Sequence, residues 1–116
     1  MPNVTIYHNP RCSKSRETME LLFEKNIEPV IVEYLKSPPT AKEIKQLLSL
    51  LGMSARDLIR QNEAVYQEKQ LDNPSLSETE LIRAMVSHPV LIERPIVIVN
   101  DKAVIGRPPE NILELI

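Results

Sequence analysis

The sequence has one cysteine and no tryptophan, an aromatic share of 3%, and no excess of positive charge. A single cysteine cannot form an internal disulfide, and with only His8 and His88 beside it no zinc-ligand spacing can be assembled. Both staples of small extracellular domains are absent, and a reducing cytoplasm is the expected compartment. The shortage of aromatic residues excludes a stacking platform for bases or sugars. A net charge of −2 removes the broad electrostatic footprint of nucleic-acid binders, so no nucleic-acid partner is expected and any anion must be held locally. No apolar run approaches the roughly 18 residues of a membrane span, and the Met-Pro-Asn-Val-Thr-Ile start lacks a basic region followed by an apolar core. Neither membrane insertion nor secretion is expected.

What is present suits a globular protein. Hydrophobic residues make up 42% and charged residues 26%, which argues against disorder and against a fibrous class. At 116 residues the chain is expected to form one domain, 1–116, a monomer with one active site.

Val4, Ile6 and His8 alternate with Thr5 and Tyr7 up to Asn9-Pro10, so the spacing predicts a strand over 3–8 that breaks at a turn. From Ser13 the apolar residues Met19, Leu22 and Phe23 fall on one helical face, predicting a helix over 13–25. Val30-Ile31-Val32 is a continuous β-branched run, as expected for a parallel strand buried on both faces. Thr40 with Glu43, Ser54 with Asp57, and Ser77 with Glu80 have the spacing of capping boxes, each opening a helix. The second of these helices is expected to close with Leu58, Ile59 and Arg60. Short helical pieces are expected over 61–75, giving three or four helices between the second and third strands. Ile96–Val99 and Ala103–Ile105 flank Asn100-Asp101-Lys102 as a tight hairpin would, and Pro108-Pro109 opens a last short helix through Leu113. The order β-α-β, helices, β-β-α is an α/β fold of thioredoxin-like arrangement: a four-stranded mixed sheet flanked by helices, with a helical insertion between strands 2 and 3.

Cys12 falls where the first strand gives way to the first helix. Unpaired backbone N–H groups and the positive end of the helix dipole favour a thiolate there, and the surrounding Pro10-Arg11-Cys12-Ser13-Lys14-Ser15-Arg16 is polar and cationic rather than the setting of a buried hydrophobe. His8, four residues earlier, is placed to hydrogen-bond the loop or support the thiolate. The Ser15 hydroxyl is placed to donate to the sulfur. Arg60, Arg94 and Arg107 stand at element ends. Spacing does not bring them together, but in this topology the segment before the third strand faces the helix-start loop, which favours Arg94. Guanidinium forks beside a helix N-terminus suit tetrahedral oxyanions. Arg94-Pro95 is also a candidate cis peptide bond. His88 precedes Pro89 at a helix end and is assigned no chemistry.

The segments Tyr7-His8-Asn9-Pro10-Arg11-Cys12-Ser13-Lys14-Ser15-Arg16, Tyr34-Leu35-Lys36-Ser37-Pro38-Pro39-Thr40, Leu58-Ile59-Arg60 and His88-Pro89-Val90-Leu91-Ile92-Glu93-Arg94-Pro95-Ile96-Val97 resemble the glutathione- and glutaredoxin-dependent arsenate reductases. The resemblance implies that Cys12 attacks arsenate, that Arg60, Arg94 and Arg107 bind the oxyanion, and that His8 and Ser15 keep the sulfur anionic. It implies no bound cofactor or metal. Glutathione would be the co-substrate and glutaredoxin the protein partner that lets arsenite leave. The residues support one part of this directly: a two-electron reduction through a thiol adduct needs a second thiol, and the chain has none. Two other readings compete. A redox-responsive transcription regulator that contacts RNA polymerase shares this fold, but usually has a Cys-x-x-Cys switch where this chain has Ser15. A glutathione-dependent thiol oxidoreductase fits the single cysteine but leaves Arg60 and Arg107 without work.

Overall fold

A computed structural model describes residues 3–116, which gather into two compact units. One comprises the residues up to Ser37 together with Arg94–Ile116, and the other Pro38–Glu93.

The first unit holds β1 (Val4–Tyr7), α1 (Ser13–Glu24), β2 (Val30–Val32), β3 (Ile96–Val99) and β4 (Lys102–Ile105), followed by a 3-10 helix, Pro109–Glu114. The sheet runs in the order β2-β1-β3-β4. β1 lies parallel to β2, with Ile6 opposite Ile31, and antiparallel to β3, with Ile6 opposite Val97. This is the predicted mixed, thioredoxin-like sheet. Val4, Ile6, Val97 and Val99 from the inner strands meet Met19 and Leu22 of α1 and Ile112 of the 3-10 helix in one core. Ile6 and Leu22 are fully buried, and withdrawing such a side chain from water is worth about 2 kcal/mol.

α1 ends at Glu24, one residue earlier than the spacing predicts, because Asn26 adopts φ 60°. The Ile27 N–H then donates to the Leu22 carbonyl at 2.9 Å and the Asn26 N–H to the Phe23 carbonyl at 2.9 Å, which satisfies two of the helix's last acceptors.

Three further expectations for this unit are corrected. Val30 is 65% exposed and Ile31 47%, so β2 is not buried on both faces. It is an edge strand, and a β-branched run does not reveal whether a strand has one neighbour or two. The terminal helix after Pro108 is a 3-10 helix that runs on to Glu114 rather than ending at Leu113. At the hairpin, Val99 pairs with Lys102, so the connection shortens to Asn100-Asp101, with Asn100 at φ 56°.

The second unit is helical: α2 (Ala41–Leu51), α3 (Ala55–Leu58), α4 (Ala64–Glu68) and α5 (Glu78–Ser87), then a 3-10 helix, Pro89–Leu91. All three capping boxes form, with each cap hydroxyl accepting the backbone N–H three residues on and the acidic partner accepting the cap's own N–H. Gly52 stops α2 at φ 67°, a conformation that costs a residue with a Cβ. Ile44, Leu47 and Leu48 of α2 and Leu81, Ile82 and Met85 of α5 are buried. α3 closes at Leu58, earlier than predicted, because Ile59 is extended and forms an antiparallel bridge with Ile92. Backbone bonds flank this bridge, from the Arg60 N–H to the Leu91 carbonyl at 2.7 Å and from the Glu93 N–H to the Leu58 carbonyl at 3.1 Å.

Candidate active site

Cys12 is the N-cap residue of α1, with extended backbone at φ −91° and ψ 124°. The loop that delivers it is built on Asn9, which is nearly buried. The Asn9 side-chain oxygen accepts the Arg11 N–H at 3.0 Å, and its carbonyl accepts the Cys12 N–H at 3.0 Å. The Asn9 N–H donates to the fully buried Ser15 hydroxyl at 3.0 Å, and Arg16 ties the loop from outside through Nη1 to the Pro10 carbonyl at 2.9 Å. The sulfur is thus held on a braced turn at the open end of a helix.

Arg107 Nη1 lies 3.7 Å from the Cys12 sulfur and donates to the Arg94 carbonyl at 3.1 Å. The Arg94 side chain hydrogen-bonds to the same sulfur. Burial pushes the thiol up. The backbone N–H of Ser15, the Arg94 side chain, the backbone N–H of Lys14 and the Arg94 charge pull it down, and together they prevail. Cys12 is therefore held below the ordinary thiol range, which favours the thiolate. The two N–H groups act on the charge without completing a side-chain cap hydrogen bond.

β4 reaches this place through Gly106. Its N–H donates to the Pro95 carbonyl at 2.9 Å, and a Cβ there would stand 2.7 Å from Thr18 Oγ1 and 3.0 Å from Pro95 Cγ. The absent side chain lets the strand end pass close to α1 and deliver Arg107. Arg94-Pro95 is cis, as its place before β3 suggested, and so is Arg107-Pro108, which the sequence did not signal.

His8 Nδ1 is 2.6 Å from Ser15 Oγ. Partial burial lowers the His8 pKa, Glu33 opposes this and Arg16 adds to it, so the neutral ring is favoured. Of the two expectations for His8, the geometry matches bonding to the loop. The Ser15 hydroxyl is engaged by His8 and Asn9 rather than by the sulfur, which instead receives influence from the Ser15 backbone N–H. Arg60 belongs to the second unit, where Nε pairs with Glu63 at 3.1 Å and Nη1 with Glu93 at 2.5 Å. Among the described residues no group of histidine, cysteine, aspartate and glutamate is placed to hold a metal ion. No helix among them is long and apolar enough to cross a membrane.

Sequence reasoning missed Asn9, Gly106, Glu63 and Glu93. Asn9 had a legible signal, since an asparagine at the start of a turn commonly bonds the N–H two residues on. Arg60 and Glu63 also stand three apart.

A mixed four-stranded sheet with one cysteine at the start of its first helix and guanidinium groups on the sulfur defines a thioredoxin-like protein of the single-thiol class. Within that class the chain belongs to the ArsC family, whose model matches residues 7–115. It is 50% identical to an arsenate reductase of Neisseria meningitidis over 97% of both chains. It is 58% identical to the uncharacterized protein YfgD of Escherichia coli, over 97% of this chain and 96% of that one. The solved structure of an arsenate reductase from Vibrio cholerae superposes with a TM-score of 0.97 at 46% identity, covering 99% of this chain and 98% of the other.

Proposed function

We propose that this protein reduces arsenate, or a closely related oxyanion, to arsenite through a covalent adduct on Cys12 that is resolved by glutathione and glutaredoxin. The observation that carries the reading is the sulfur itself, held at a helix start with Arg107 at 3.7 Å and Arg94 hydrogen-bonded to it. An oxyanion drawn to those donors meets a thiolate nucleophile, and the same donors neutralise the charge that builds on its oxygens during attack. Membership of the ArsC family and the names of its relatives support arsenate as the substrate. The family resemblance adds Arg60 as a third oxyanion ligand.

The atoms balance as follows. The Cys12 thiolate displaces one arsenate oxygen, which leaves as water after protonation. Glutathione displaces a second oxygen in the same way, so arsenic(V) carries two sulfurs. The glutaredoxin thiolate attacks the glutathione sulfur and breaks its bond to arsenic, and that electron pair reduces arsenic(V) to arsenic(III). Water then releases arsenite and restores the Cys12 thiol. His8 and Ser15 serve by bracing the loop that aims the sulfur. No cofactor is called for, and a monomer in the cytoplasm, where glutathione is abundant, suffices.

The test is an arsenite-forming assay in which each thiol donor is omitted in turn. Arsenite should form with both glutathione and glutaredoxin present and fall to background without either. No arsenite above the protein-free control in the complete mixture would overturn the reading. Full activity without glutaredoxin would overturn its resolving step.

A further inference from the structure

Arg11 stands immediately before Cys12, in the same unit as the sulfur, Arg94 and Arg107. Its backbone is fixed, because its N–H donates to Asn9 Oδ1 at 3.0 Å and the following N–H, that of Cys12, donates to the Asn9 carbonyl at 3.0 Å. The side chain is exposed and makes no hydrogen bond or ion pair with the described residues. Its cationic neighbours are engaged elsewhere, Lys14 with Glu17 at 3.6 Å and Arg16 with the Pro10 carbonyl at 2.9 Å. The sulfur takes its own donors from Arg94, Arg107 and the N–H groups of Lys14 and Ser15. A braced turn thus carries an unengaged guanidinium one peptide unit from the nucleophile. Glutathione has a matching layout. Its thiol is on the central residue, and one peptide unit away the glycine ends in a carboxylate with no ammonium beside it. A guanidinium fork pairs with such a carboxylate through two parallel hydrogen bonds.

We infer that Arg11 is a specificity-determining residue for the thiol co-substrate, receiving the glycine carboxylate of glutathione as its sulfur approaches the adduct on Cys12. The inference deepens the reading above and rests on its choice of glutathione. Arg11 acts on the incoming thiol and not on the oxyanion, which Arg94 and Arg107 are proposed to hold. A pair formed at the surface is partly screened by water and salt, so the preference it confers is several-fold rather than absolute.

The experiment compares glutathione with its glycine ethyl ester, which keeps the thiol and loses only that negative charge. In the complete assay the wild type should show a KM for the ester about fivefold above that for glutathione. Arg11→Gln should raise the glutathione KM about fivefold and no longer distinguish the two thiols, and Arg11→Lys should restore part of the preference. Both proteins meet the same glutaredoxin, so a difference between them belongs to Arg11, and the bond from its N–H to Asn9 survives the substitution. A preference for glutathione that persists in Arg11→Gln would overturn the inference, as would a rise confined to the arsenate KM. A second measurement needs no arsenate. The Cys12 thiolate attacks glutathione disulfide, forms a mixed disulfide and releases one glutathione thiolate, and mass spectrometry follows the rate. Arg11→Gln should slow this reaction about fivefold and spare the reaction with the uncharged disulfide of 2-mercaptoethanol. Equal slowing of both would overturn the inference. If the wild type turns over no arsenate, the proposed reaction fails, while the two disulfide rates still decide whether Arg11 receives the carboxylate.

Discussion

Replacing Cys12 with serine is expected to lower arsenite formation at least about a thousandfold while leaving the fold intact. The hydroxyl is far harder to ionise than the thiol, so donors that stabilise the thiolate have no comparable anion to act on, and the nucleophilic step is lost rather than slowed. Serine is also an accepted N-cap residue, so α1 keeps its start. The loop does not depend on the sulfur, because Asn9, Ser15 and Arg16 brace it through other atoms. Arsenite formation in the complete assay, beside circular dichroism to check folding, makes the measurement. A Cys12→Ser protein with wild-type turnover would exclude the covalent mechanism.

Arg94→Ala should produce the second largest effect, a loss of about a hundredfold in kcat/KM at neutral pH. Two contributions combine, because the guanidinium both stabilises the thiolate and is proposed to hold the oxyanion. The first has a definite sign. Burial raises the Cys12 pKa, and the helix N–H groups and Arg94 overcome it, so removing Arg94 lets the thiol climb toward its ordinary range. The thiolate fraction at neutral pH then falls, and the rise of Cys12 alkylation rate with pH moves to higher pH. An acid of depressed pKa contributes stability that is present above the unfolded pKa and fades as pH falls through the folded one, so the variant should also lose stability on the alkaline side. An alkylation profile identical to the wild type would remove Arg94 from the control of the sulfur.

Much of this was legible in the residues because it is local. The three capping boxes need only a hydroxyl and a carboxylate three positions apart, and each formed. The sheet was legible from the order of its elements, since βαβ followed by a hairpin leaves few connections. What failed depends on partners distant in sequence. Val30-Ile31-Val32 has the composition of a buried strand but lies at an edge, which only the absence of a second neighbour reveals. Arg60 was assigned to the oxyanion through the family resemblance, and its ion pairs were not legible, since one carboxylate on it comes from 33 positions away through a bridge that no periodicity announces. Ser15 shows a finer limit: its position near Cys12 was legible, but whether hydroxyl or backbone N–H would serve the sulfur depended on where His8 and Asn9 pointed.

α1 begins differently from α2, α3 and α5. Those three have a hydroxyl cap and an acidic residue in the first turn, whereas α1 has no cap hydrogen bond and no acidic residue there. A good cap is worth about 1 kcal/mol, which for a chain of this size corresponds to about 4 °C of melting temperature. The amides that would secure this helix are left for the sulfur and whatever binds beside it, so thermal tolerance and reactivity compete for the same few N–H groups. A protein carrying Cys12→Asp, with an anionic cap and no thiol, should therefore melt higher than the wild type and catalyse nothing.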